Sequence, residues 1–158
     1  MLIRAGAKVR LASREAARAE LACQQLAGQV GEGASGLSAV GTSDASTLEP
    51  QLSQVNAVFG CGAAGAQLLS QQPLRQASDL KVAIDLNAVP PQGREGIAAR
   101  DKAVARGSRI DYGAIDVGGL EMKIHRESIC TLFSRNDLVL DAEQIFEIGR
   151  QLELAAIV

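Results

Sequence analysis

The chain of 158 residues is short of aromatic side chains, with no tryptophan, one tyrosine and three phenylalanines. Its interior must therefore be filled by alanine, leucine and valine, with sixteen glycines allowing tight turns. The three cysteines, Cys23, Cys61 and Cys130, are odd in number, widely spaced and lack a C-x-x-C pair, which excludes a disulfide scaffold. That usage fits a reducing cytoplasm. A single histidine, His125, has no neighbouring cysteine or second histidine to complete a tetrahedral metal site. No apolar run approaches the length of a membrane span, and the first fifteen residues lack the apolar core of a signal peptide. Sixteen basic and eighteen acidic side chains give a formal net charge of −2, so no broad basic field is available for nucleic acid.

What is present is 47% hydrophobic and 22% charged, enough for one core of ordinary size and too apolar for intrinsic disorder. Short apolar stretches alternate with helical ones. Lys8–Ala12, Val55–Phe59, Lys81–Asp85 and Arg109–Ile115 read as strands, with a weaker one at Ser38–Gly41. Gly6 is placed to cap a preceding helical turn, and Ser13 to cap a helix over Glu15–Ala27. Gly28–Ser38 reads as loop, and Pro50–Gln54 as a short helix or turn. Further helices are expected from Gly65 to about Gln72, closed by Pro73, over Gly96–Ala105 and over Glu121–Phe133. A last helix starts at Asp141, with Gln144 completing a capping box, and its Ile145, Ile148, Gly149 and Leu152 share one face.

Strands separated by helices indicate an α/β chain, a three-layer Rossmann-like domain with a mostly parallel sheet. Ligands of such sheets sit outside the carboxyl ends of the strands. Those ends are Ala12–Arg14, Gly60–Gly65, Asp85–Pro91 and Gly113–Gly119, three of them rich in glycine or proline.

Gly60, Gly62 and Gly65 satisfy G-x-G-x-x-G, and Asp85 follows twenty residues later. Taken literally, this is a dinucleotide fingerprint with the pyrophosphate on a helix start and Asp85 on the ribose. A second reading places Met1–Arg14 just after a fingerprint: helix end, Gly6, second strand, then Ser13-Arg14. A serine and an arginine in place of an acid favour a ribose carrying a 2'-phosphate, hence NADP, with NAD as the alternative. Gly60–Gly65 is then the loop after the fourth strand. Asn87 suits either an anchor for the following turn or a hydrogen-bonding group for a ligand.

The stretches Val9–Arg14, Phe59–Leu69, Lys81–Pro91, Tyr112–His125 and Asn136–Glu143 resemble the cofactor-binding domain of NAD(P)-dependent methylenetetrahydromethanopterin dehydrogenases. The resemblance implies hydride transfer from methylene-tetrahydromethanopterin to NADP, or to NAD in some members. It places Ser13 and Arg14 at the 2'-phosphate, with Gly60, Cys61, Gly62, Ala63, Gly65, Asn87 and Ala88 lining the cofactor cleft. It assigns no catalytic acid or base, since holding two rings face to face supplies much of such a reaction.

Members of that family carry a pterin-binding segment, a first strand and a glycine fingerprint before the point matching Met1. Residues 1–158 are therefore expected to form a partial dinucleotide-binding domain, inactive alone, with the pterin a partner only if the missing segment is supplied. The alternative is a non-catalytic dinucleotide-binding or interaction module. In the order 3-2-1-4-5-6 the first strand is central, and each buried backbone group left unpaired costs about 1–3 kcal/mol. Net stability of about 5–15 kcal/mol does not allow a simple gap. Direct pairing of the second and fourth strands, or a strand from another copy or partner chain, is expected instead. Elsewhere, His125 and Lys123 read as helix surface, Asp111 and Asp116 as polar strand ends, and the mixed-sign run Arg94–Arg109 as solvated surface.

Overall fold

The computed structural model describes residues 1–43, 45–63, 65–66, 68–90 and 93–156. It is a mixed α/β fold with two small sheets. Strands β1 (Val9–Ser13) and β2 (Leu37–Gly41) form the first. The second has the order β3 (Ala57–Gly60), β4 (Val82–Asp85), β6 (Arg109–Tyr112), β5 (Val104–Arg106). The expected direct pairing of the second and fourth strands does not occur among the described residues: β1 and β3 lie in different sheets. The chain divides into two compact units, Met1–Val58 with Leu69–Val82, and Phe59–Leu68 with Ala83–Val158.

The first unit opens with one helical turn. Gly6, at φ +86°, closes it as glycine does in a Schellman motif, with its N–H on the Ile3 carbonyl and that of Ala7 on the Leu2 carbonyl. In β1 the alternation of half-buried Val9, Leu11 and Ser13 with exposed Arg10 and Ala12 follows the period of two. It pairs in parallel with β2, from Val9 opposite Leu37 to Ser13 opposite Gly41. Helix α1 (Ala16–Val30) is made of strong helix formers and packs on both strands. Ser13 does not cap it; Glu15 stands at the N-cap without a side-chain bond, because Ser13 is still in the strand. The segment expected to be loop after Gly28 instead extends α1 to Val30 and continues as a 3-10 helix over Gly31–Gly36.

Helix α2 (Ala45–Leu52) carries Pro50 inside it. The Arg10 guanidinium donates to the Gln51 and Ser53 carbonyls at its end, where a cation is favoured. Helix α3 (Gln71–Gln76) is the clearest correction in this unit. Among the described residues no helix follows Gly65 directly, and Pro73 sits in the first turn of α3 rather than ending a helix. The first N–H groups of a helix have no partner within it, so proline is tolerated there. The core of the unit is apolar: Ala19, Val40, Leu48, Leu52, Leu74, Ala77 and Leu80.

The second unit is organised around buried charge. Residues 96–105, expected to be helical, form turns that lead into β5, and β5 returns antiparallel through Gly107-Ser108 into β6. Gly107, at φ +67°, supplies the left-handed conformation that a two-residue hairpin loop needs. Arg106 and Arg109 face each other across this hairpin, an unfavourable like-charge pair by itself. Asp111 resolves it. Its Oδ1 accepts Arg109 Nε at 2.6 Å, and its Oδ2 accepts Arg109 Nη2 and Arg106 Nη1, both at 3.0 Å. Arg106 Nη2 also reaches Asp101 Oδ2 at 2.8 Å, which accepts the Ala98 N–H as well. Asp111 is fully buried, so it is no polar strand end, and Arg94 and Arg109 within the supposed surface run are buried too.

Helix α4 (Ala114–Leu132) begins seven residues before the expected Glu121 and absorbs most of the Gly113–Gly119 segment, which is therefore not a carboxyl-edge loop. Its start is fixed by the Gly113 N–H on the Asp101 carbonyl and the Ile115 N–H on the Ala99 carbonyl. A Cβ at Gly113 would collide with the Ala98 carbonyl oxygen, so only glycine fits this approach. Helix α5 (Ala142–Ala156) begins as expected: Asp141 Oδ1 accepts the Glu143 and Gln144 N–H groups, and Gln144 Oε1 accepts the Asp141 N–H. It packs on α4, with Gly149 close to Ile124.

Candidate functional site

Ser13 and Arg14 belong to the first unit. Ser13 ends β1, and its carbonyl accepts the Thr42 N–H that follows β2. Arg14 is exposed and makes no hydrogen bond or ion pair among the described residues. A guanidinium held just beyond a strand end and committed to nothing is free to meet an anion.

The other candidates belong to the second unit, where Gly60 and Asn87 meet at one buried carboxylate. Asp85, 1% exposed, ends β4. Its Oδ1 accepts the Asn87 N–H at 3.1 Å and its Oδ2 the Arg94 N–H at 2.8 Å. The literal fingerprint would put this acid on a ribose; instead its oxygens are engaged within the protein. Gly60 and Gly93 lie against the same group, since a Cβ on either would come within 3.1 Å of Asp85 Oδ1. The backbone of Gly60, Asn87 and Gly93-Arg94 is thus gathered around one charge.

Asn87 is buried and works in two directions. Its Oδ1 accepts the Val89 N–H at 3.1 Å, which fixes the turn after β4, and its Nδ2 points to the Ala63 carbonyl at 3.4 Å. The structure therefore brings the Gly60–Ala63 turn and the Asn87 segment together. The Leu86 N–H on the Gly60 carbonyl and the Leu68 N–H on the Gly93 carbonyl strengthen that association. Gly60 is buried, whereas Cys61, Gly62, Ala63, Gly65 and Ala88 are exposed. Gly62 admits no side chain without moving Leu68, whose methyl groups would lie 2.5 Å from its Cβ, and Gly65 takes φ +71°. Residues 64, 67, 91 and 92, part of the same segments, lie outside the described residues.

The residue that sequence reasoning missed is Arg94. It is 1% exposed, and its Nε and Nη1 find no acceptor among the described residues. A Cβ at Gly60 would lie 3.0 Å from that Nε. Burial pushes the guanidinium down to about 10, a shift the Asp85 charge partly offsets, so it remains a cation at neutral pH. No local signal marked it, because Arg94 opens a mixed-sign run whose composition reads as surface.

His125 and Lys123 lie on exposed α4, along a groove of about 460 Å³ with Met122, Arg126, Ile129 and Cys130. The three cysteines are free, and no cluster of metal-ligating side chains occurs among the described residues. No helix in the described residues is long and apolar enough to cross a membrane.

Comparison with known proteins adds two relatives, both from Methylorubrum extorquens. Bifunctional protein MdtA is 34% identical over 116 residues, 73% of this chain and 40% of its own length. An NAD(P)-dependent methylenetetrahydromethanopterin dehydrogenase is 30% identical over 95 residues, 59% of this chain and 30% of its own length. No protein-family profile matches. The chain is thus partly homologous to an NAD(P)-dependent dehydrogenase and spans less than half the length of either relative.

Proposed function

We propose that this chain is a dinucleotide-binding part of an NAD(P)-linked oxidoreductase of one-carbon metabolism, taking NADP in preference to NAD. The observation that carries the proposal is the 34% identity to MdtA across 73% of the chain, together with the named dehydrogenase as a second relative. Two structural features support it. The strand orders β1-β2 and β3-β4-β6, each taken within its own sheet, match neighbour relations found in a doubly wound sheet. The buried Arg94 nitrogens without acceptors, next to a turn that glycine keeps open, form a donor set that suits the oxygens of a phosphate.

In this proposal Ser13 and Arg14 bind the 2'-phosphate. Gly60, Cys61, Gly62, Ala63 and Gly65, with Asn87 and Ala88, hold the rest of the dinucleotide, which supplies the hydride-accepting ring. Hydride transfer from methylene-tetrahydromethanopterin is proposed only where a pterin-binding part accompanies these residues, and 158 residues alone are expected to bind cofactor without turnover. Calorimetric titration with NADP and NAD tests this. Wild type should bind both, and Arg14→Ala should weaken NADP by roughly 10- to 150-fold, equivalent to about 1.5–3 kcal/mol, with NAD unchanged. Equal loss for both cofactors removes the 2'-phosphate assignment, and no binding of either removes the proposal.

A further inference from the structure

We infer that Arg94 is an anion anchor behind the Gly60 turn and that the group it takes is a phosphate. The choice of a dinucleotide pyrophosphate as the form of that phosphate rests on the proposed function; the anion site does not. Three observations lead to it. First, a buried guanidinium is seldom left without acceptors, because an unsatisfied buried donor, a charged one above all, is costly. Arg94 nevertheless has two such nitrogens among the described residues. Its nearest opposite charge does not supply the missing bonds. Asp85 accepts the backbone N–H of Arg94 and of Asn87, and no ion pair forms between its carboxylate and the Arg94 side chain.

Second, the position is guarded by glycine rather than by a side chain. Gly60 lies directly against Nε, and the next residues, Cys61, Gly62 and Ala63, are exposed. In this proposal an anion settling on that exposed backbone reaches the guanidinium by displacement at Gly60, which is itself buried. Third, the surrounding charges cannot satisfy it. Asp111 is already occupied by Arg109 and Arg106, and Arg106 also holds Asp101. Nε and Nη1 are charged donors on two edges of the planar guanidinium, each suited to a phosphate oxygen.

The test is titration of the whole chain and two variants, Arg94→Met and Arg94→Lys, with inorganic pyrophosphate, NADP and adenosine. Wild type should bind pyrophosphate and NADP. Arg94→Met should weaken both at least tenfold and leave adenosine unaffected, while Arg94→Lys should retain part of the pyrophosphate affinity. A merely structural arginine would not separate charged from uncharged probes. Unchanged pyrophosphate and NADP affinity in Arg94→Met overturns the anchor and leaves the dinucleotide proposal standing. Arg94-dependent pyrophosphate binding without NADP binding does the reverse, and no binding of either anion ends both. Should Arg94→Met fail to fold, the Nε–H resonance of wild type decides: pyrophosphate should shift it, and a resonance that stays in place at saturation contradicts the inference.

Discussion

The two units of this chain are stabilised by opposite means. Among the described residues the first buries leucine, alanine and valine and no charged group, with Arg10 spent on helix-end carbonyls. The second buries Asp85, Asn87, Arg94, Arg109 and Asp111, with few apolar side chains fully enclosed beside them. An apolar core tolerates small changes of shape at moderate cost, whereas a buried ionic cluster stands or falls with its partners. The glycine turn and Asn87 stand on the second kind of support.

Changing a single partner in the second unit should therefore have the largest effect. Asp111→Asn leaves Arg109 and Arg106 without their shared carboxylate, and a loss of about 3–5 kcal/mol is expected in denaturant unfolding. Replacing Asp111 and Arg109 together, by leucine and methionine, should cost far less, since no uncompensated charge remains at that pair. Equal costs for the single and double replacements would show that the cluster is not held as pairs. In the first unit the same experiment reads a cavity. Leu80, 1% exposed, should lose about 3 kcal/mol on Leu80→Ala, with no dependence on salt or on a second substitution.

That contrast also explains what could be read from the sequence. Short apolar stretches marked Lys8–Ala12 and Lys81–Asp85, where β1 and β4 form, and the residue types at Asp141 and Gln144 sufficed for the cap of α5. Gly6 closed its turn for the same local reason. The misjudged places are those where a partner distant in sequence decides. An alanine-rich stretch over 96–105 has helical propensity, yet Asp101 binds Ala98 and Arg106, and the chain turns into a hairpin. Arg109 and Asp111 are two apart on a strand and so share a face, but whether that face is inside depends on what covers it. Gly118-Gly119 looked like an interruption, and tertiary anchoring at Gly113 carried α4 through it. Of the candidate site, the association of the glycine turn with Asn87 follows from the order of strands, while Arg94 emerged only from the fold.

The smallest effect belongs to the exposed pair Arg135 and Asp137. The Arg135 hydrogen bond holds the Asp137 carboxyl below its usual range, so its contribution is present above the ordinary carboxylate range and is lost as pH falls through the lowered value. Arg135→Gln should move the Asp137 titration, followed by NMR, back toward the ordinary carboxylate range with little change in Tm. A Tm loss would mean that this pair supports more than itself.

The central claim, a dinucleotide held by the glycine turn and the Asn87 segment, is tested most directly by amide hydrogen exchange with and without NADP. Slower exchange is expected at Cys61, Gly62, Ala63, Ala88 and Val89, with Arg14 also slowed by NADP and not by NAD. Exchange at Cys61–Ala63 and Ala88–Val89 that stays the same at saturating NADP would contradict the account.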